Sequence, residues 1–183
     1  MRKYFAPDRI YTTFDQISPE VLENDGICAV IFDIDNTLAP YEEAEPSDKV
    51  REYFSALHER GIKTVFVSNN HGPRVELFSK TLDTPFFADS KKPLGKNMRA
   101  AMKLMESDST NTAIIGDQVF TDVWAGKRQK IRTYLVPPIN DKKNLFFKCK
   151  RMLEKPIIRK YYKDRGEDIR NADEAIVRTW WKQ

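Results

Sequence analysis

The sequence predicts an α/β protein: a doubly wound parallel sheet with helices on both faces, in three layers, α/β/α. Two observations carry this prediction. Short apolar runs of strand length recur at 27–32, 63–67, 112–116 and 132–136. The stretches between them show helical periodicity, and strands that alternate with helices imply parallel crossovers. A third observation is how the runs end. Ile27-Cys28-Ala29-Val30-Ile31-Phe32 empties into Asp33-Ile34-Asp35-Asn36-Thr37. A run that is apolar at every position reads as a strand buried on both faces. The carboxyl ends of such strands are where open α/β sheets bind ligands.

Each element has a local reason. Ser18-Pro19-Glu20 starts a short helix, with Ser capping and Pro at the first helical position, and Gly26 closes it. The first strand follows, and Cys28 within it is expected to pack as a small core hydrophobe. Pro46-Ser47-Asp48 caps a helix over 48–60 that Gly61 ends, and Val50, Tyr53, Phe54 and Leu57 form its apolar stripe. The second strand is 63–67. Pro73 to Leu82 reads as a helix, 85–88 as a short strand, and Pro93 to Met105 as a helix with Leu94, Met98, Ala101, Met102 and Met105 along one side. After the strand at 112–116 come a short helix over 122–129 and a last strand at 132–136, stopped by Pro137-Pro138.

The carboxyl ends of three strands deliver polar groups in order: Asp33 and Asp35, then Ser68-Asn69-Asn70, then Gly116-Asp117 with Asp122 beyond. Lys91-Lys92-Pro93 lies between the second and third of these groups. Two carboxylates so close repel unless a cation or a shared proton relieves them. Their spacing of two returns both side chains to one face of the strand. Taken singly, an Asp-x-Asp turn, a strand-end serine or a loop lysine is ordinary. Together they form an inventory for handling a phosphate with a divalent cation.

At these residues the chain resembles the haloacid dehalogenase phosphatase superfamily. Asp33–Thr37 is similar to its first motif, Ser68 to its second, Lys92 to its third, and Gly116-Asp117-Gln118-Val119-Phe120-Thr121-Asp122 to its fourth. The match runs from about residue 27 to 137. The chain resembles more closely the subfamily IIIA branch typified by the YqeG family, through Pro7-Asp8, Ser18-Pro19-Glu20, Val67–Asn70, Lys91–Lys96, Gly116–Gln118 and Thr121–Val123. That branch is similar to the phosphatidylglycerophosphate phosphatases of fungi and plants. The resemblance implies a Rossmann-like fold of the superfamily's type and a phosphomonoesterase dependent on Mg²⁺. In it, Asp33 is the nucleophile that forms an aspartyl-phosphate and Asp35 the general acid and base. Asp33, Asp117 and the Asp35 backbone carbonyl hold the metal, and Asp122 orients a metal-bound water. Ser68 and neighbouring Asn69 bind the phosphoryl group, and Lys92 neutralises its charge. Lys91 is the rival for this last role. Only nine residues separate Thr37 from Ser47, and the twenty-one between Asn70 and Lys92 are mostly assigned, so neither gap has room for a cap domain. A capless site is expected to stay open to solvent and to accept a phosphate carried on something large.

With 40% hydrophobic and 32% charged residues, the chain is expected to form a single globular domain over 1–183: a motif-bearing core at 27–137 and an extension at 141–183. Two cysteines make no disulfide framework. Met1–Pro7 lacks the apolar core of a secretory signal, and no apolar stretch nears the ~18–20 residues of a membrane span. A cytoplasmic protein is expected. The charge is unevenly spread. From Lys142 to Arg165, ten Lys or Arg stand against two acids, a balance of +8 in a chain of +4 overall. Leu145, Phe146, Cys149, Met152 and Leu153 are expected to form the apolar side of a helix here, with the basic residues opposite. That basic face is expected to be either solvated or in peripheral contact with anionic lipid on the inner face of the membrane. No aromatic stacking platform accompanies it, so nucleic acid is not expected as a partner. His58 and His71 are expected at the surface. Trp180-Trp181 reads as either a loose tail or an interfacial anchor. The preferred substrate is a phospholipid headgroup, probed against two alternatives: a phosphatase of soluble metabolites or nucleic-acid ends, and an interaction module that retains the fold.

Overall fold

The computed structural model describes residues 4–140 and 145–182, without the side chains of residues 145–147 and 182. Six parallel strands form one sheet: β1 (Arg9–Ile10), β2 (Ala29–Phe32), β3 (Lys63–Val67), β4 (Phe86–Phe87), β5 (Thr112–Gly116) and β6 (Arg132–Leu135). Their spatial order is β1-β6-β5-β2-β3-β4. From β2 the chain winds outward to β3 and β4, then returns to β2's other side for β5 and β6. The switch point of this double winding lies between β2 and β5, where Phe32 pairs with Ile115.

Two layers of helix cover the sheet. On one face α1 (Pro19–Asn24), α2 (Asp48–Glu59) and α3 (Gly72–Thr81) bury Leu22, Val50, Tyr53, Phe54, Leu57, Val75 and Phe78 against Val30, Phe32 and Phe66. On the other, α4 (Lys96–Leu104) and α5 (Trp124–Gln129) bring Met98, Ala101 and Ala125 onto Ala29, Ile31, Val65 and Ile114. Each fully buried large side chain contributes about 1.5–3 kcal/mol relative to exposure. Ser18 and Ser47 cap α1 and α2 by accepting from the Val21 and Val50 N–H groups. Residues 38–47 and 88–95 are loops without helix or strand of their own.

Several expectations need correction. Cys28 is exposed, because the strand starts one residue later and its N–H donates to the Asn111 carbonyl outside the core. The helix expected from Pro93 starts only at Lys96, and Leu94 is 54% exposed. Its preceding turn is held elsewhere: the Lys92 N–H donates to Asn69 Oδ1 at 2.7 Å. The edge strand β1 was hidden by its two-residue length. Lastly, the apolar side drawn for the C-terminal helix faces outward. In α6 (Leu145–Asp164), Met152 and Leu153 are 61% and 59% exposed, whereas Arg151, Glu154, Ile158, Tyr161 and Tyr162 turn inward. Lys142 and Lys143 lie outside the described residues, as do the side chains of Leu145 and Phe146. A third core cluster joins α6 to the chain that follows, through α7 (Glu174–Val177), and includes the buried Trp180. Trp180 is therefore a packed core residue. No helix among the described residues is long and apolar enough to cross a membrane.

Candidate active site

The sheet order sets the exits of β2 and β5 side by side. Asp33 follows β2 directly, and its N–H donates to Ile115 of β5 at 3.0 Å. Asp117 follows β5. Asp122 comes from the wide π-type turn at Val119–Val123 that leads into α5. Carboxylate oxygens of Asp33, Asp117 and Asp122 all lie within 4.8 Å of one another, and all three residues are buried. Gly116 makes this possible: a Cβ there would fall 2.4 Å from Asp122 Cγ. The Asp122 carboxylate closes its own turn by accepting from the Gln118 N–H at 3.1 Å and the Thr121 hydroxyl at 3.3 Å.

Lys92 reaches into the cluster, 2.7 Å from Asp33 Oδ1 and 2.7 Å from Asp122 Oδ1. Lys91 is exposed, in a left-handed conformation with φ 49°. The choice between the two lysines thus falls to Lys92. Burial pushes the Asp33 carboxyl well above the ordinary carboxylate range; Lys92 opposes this, and Asp122 and Asp117 add to it. Burial also raises Asp117, to about 6, against Arg151. Burial works against the charge on Lys92, but Asp122 and Asp33 overcome it and hold the lysine above its ordinary value.

These residues fit a divalent cation. Asp117 Oδ1 is buried with no hydrogen-bond partner among the described residues. Fully ionised, Asp33, Asp117, Asp122 and the adjoining buried Glu154 would carry four negative charges against the two positive charges of Lys92 and Arg151. A deficit of two, with carboxylate oxygens as the candidate ligand atoms, suits a hard divalent ion.

Asp35 stands apart from this cluster. Its Oδ1 accepts from Arg74 Nε of α3 at 2.9 Å, and Arg74 also donates to the Pro40 carbonyl at 2.8 Å. Asp33 and Asp35 both line a cleft of about 290 Å³, with Asn36, Tyr41, Asn69, Asn70, Lys92, Gln118, Thr121 and Lys150. Ser68 is buried and is not among the residues that line the cleft; its hydroxyl accepts from the Asn70 N–H at 3.0 Å. Asn69 braces Lys92 through the backbone contact already described. His71 is exposed and pairs with Asp89 at 2.8 Å, and His58 sits 2.7 Å from Thr64 Oγ1, beside the start of β3. Neither lines the cleft.

Sequence reasoning missed the contribution of α6. Arg151 is 4% exposed and donates to Asp117 Oδ2 at 2.5 Å and to the Asp117 carbonyl at 2.7 Å. Lys150 lines the cleft and donates to Gln118 Oε1 at 2.6 Å. Both were counted with a basic surface. The available signal was periodicity: Arg151, Glu154, Ile158 and Tyr161 recur at helical spacing, but a face that opens with two charged residues does not read as buried. Arg74 was likewise missed, and no local pattern marks it.

The haloacid dehalogenase-like hydrolase family matches residues 39–129. The "Probable phosphatase YqeG" of Bacillus subtilis (strain 168) is 35% identical over 158 residues, covering 86% of this chain and 92% of its own. Among solved structures, a hypothetical protein from Xanthomonas campestris superposes with a TM-score of 0.52 at 13% identity, over 69% of this chain and 73% of that one. An uncharacterized protein from Listeria monocytogenes serotype 4b gives 0.50 at 15% identity, over 64% and 85%. The two structural likenesses bear on the fold alone.

Proposed function

The chain belongs to the haloacid dehalogenase-like hydrolases and is a phosphatase, and from that premise we propose how its residues divide the work. The observation that carries the reading is the meeting of Asp33, Asp117 and Asp122 around Lys92 at the switch point of the sheet.

Asp33 attacks phosphorus, forming an oxygen–phosphorus bond as the ester oxygen departs. Asp35 gives that oxygen a proton, then takes one from the water that hydrolyses the aspartyl-phosphate. Arg74 holds Asp35 Oδ1, so proton transfer falls to Oδ2. Ser68 and Asn69, with nearby backbone N–H groups, bind the phosphoryl oxygens, and Lys92 balances the charge that develops on them. Asp33, Asp117 and the Asp35 carbonyl, with Asp122 at their side, would hold Mg²⁺. The ion would supply charge neutralisation, letting an anionic carboxylate approach an anionic phosphate. The whole chain acts as one catalytic domain.

The proposed substrate is the headgroup of a phospholipid, with phosphatidylglycerophosphate first, met at an anionic membrane from the cytoplasmic side. Short loops around an open cleft support this, as does the outward face of α6, where Met152 and Leu153 stand among Lys148, Lys155 and Arg159. The inward turn of Lys150 and Arg151 removes two charges from that face. This favours, as a second reading, a soluble phosphomonoester whose further anionic group meets Lys150. One experiment separates them: phosphate release from phospholipid, sugar and nucleotide monoesters, with and without Mg²⁺. Turnover confined to lipid supports the first reading, turnover confined to soluble esters the second, and none with any ester would sink the assignment of these roles.

A further inference from the structure

Beyond the residues matched by the family, α6 inserts a connected set of buried polar groups behind Asp117. Arg151 grips Asp117 at two places, Oδ2 and the backbone carbonyl, and its Nη1 also donates to Glu154 Oε2 at 2.8 Å. Glu154, fully buried, accepts from the Val119 N–H at 3.0 Å through Oε1 and from Trp180 Nε1 at 3.2 Å through Oε2. Trp180 is fully buried as well. The contacts thus run from the end of the chain to both sides of the turn at 117–119.

A helix that only needed to dock would place Leu or Ile here, since removing a guanidinium and a carboxylate from water is costly and packed apolar residues are often as stable. Ile158, Tyr161 and Tyr162 already provide the apolar docking further along the same face. The polar pair sits where α6 meets Asp117: Arg151 takes Asp117 Oδ2, Asp117 Oδ1 is buried with no hydrogen-bond partner among the described residues, and the Asp117 carboxylate lies within 4.8 Å of those of Asp33 and Asp122.

We propose that Arg151 is a positioning residue that fixes the Asp117 carboxylate for the divalent cation, and that Glu154 and Trp180 in turn fix Arg151. The inference rests on the reading that Asp117 is a metal ligand. It makes the C-terminal segment part of the metal site, so that docking of α6 and cation binding support each other. Charge alone predicts the opposite sign: deleting a cation beside a carboxylate should tighten the binding of Mg²⁺. A loss of affinity is therefore diagnostic of positioning.

The test is titration calorimetry of Mg²⁺ into the full chain, with thermal unfolding measured in chelator. Arg151→Met should bind Mg²⁺ about 10–100-fold more weakly, as is usual when a group orienting a metal ligand is lost. Arg151→Lys keeps the charge but not the two-pronged grip, and should recover only part of that loss. Trp180→Phe removes the N–H to Glu154 together with the second ring but leaves Arg151 and Glu154 in place, and should weaken Mg²⁺ by less than either. At saturating Mg²⁺, KM for a soluble ester should stay unchanged in Trp180→Phe. Should Arg151→Met fail to fold, Arg151→Lys and Trp180→Phe decide by themselves. Affinity equal to or tighter than that of the parent in the folded variants would overturn the proposal. If the parent protein itself bound no Mg²⁺, the metal-ligand reading would fail, whatever Arg151 does.

Discussion

Asp33 meets Lys92 at 2.7 Å, in a site where burial already opposes its charge. An asparagine there keeps the volume but cannot attack phosphorus, so Asp33→Asn should abolish turnover while circular dichroism stays unchanged. Asp35→Asn should slow turnover by about 10²–10⁴-fold, the range for losing a general acid and base. Full activity in either variant, measured as phosphate release, would refute the assigned role. Gly116 serves the site through the space it leaves for Asp122. Alanine there would place a Cβ 2.4 Å from Asp122 Cγ and 2.6 Å from its Oδ2. The turn would have to shift, at a cost of about 1–3 kcal/mol for overpacking. Gly116→Ala should therefore lower both the thermal midpoint and the affinity for Mg²⁺. An unchanged midpoint would mean that the turn yields freely.

Helix α6 has two unlike faces. Inward it meets Asp117; outward it shows Lys148, Met152, Leu153, Arg159 and Lys163 to solvent. Arg159 also lies 4.3 Å from the ring centroid of Trp181, which ties the outer face to the chain's last turn. If the outer face meets an anionic membrane, Lys148→Glu with Lys163→Glu should reduce activity on lipid in anionic vesicles and spare a soluble ester. Vesicle binding should fade with salt, as the Debye length falls from ~10 Å at 0.1 M to ~3 Å at 1 M. Equal loss on both substrates would show that the face is structural, and no loss on either would return it to plain solvation.

At the scale of the whole molecule, the buried acids couple stability to pH and to the metal. Asp117, raised to about 6 from 3.8, holds its proton in the folded state after the unfolded chain has released it. Asp33 is shifted in the same direction. The folded state then binds more protons than the unfolded one, so stability falls as pH rises through this window and stays lowered above it. Lys92 and Arg151 offset this in part, and a bound cation should offset the rest. The rise in thermal midpoint on adding Mg²⁺ should accordingly be larger at about pH 8 than at about pH 5, where protons compete for the same oxygens. An equal rise at both pH values would place the bound ion elsewhere.

The chain's own order of residues determined the sheet and the acids at its edge. Apolar runs of strand length, alternating with helices, are buried on both faces in a parallel sheet under two layers of helix. Local punctuation, Ser47 before α2 and Gly61 after it, marked the elements between. Asp33 and Asp117 could be placed from the sequence because each directly follows a strand that its apolar run specifies, and Asp122 because it lies in the turn just beyond. Tertiary structure decided the rest. Lys92 prevailed over Lys91 because the Asn69 side chain, from another loop, holds its backbone. Arg74 came to Asp35 through the packing of α3. Arg151 and Glu154 left the surface for the interior because Asp117, 34 residues from Arg151, offered the buried charge that makes a buried guanidinium tolerable. Periodicity reports which face of a helix is apolar. It does not report which face has a charged partner waiting, because that partner is supplied by a distant part of the chain.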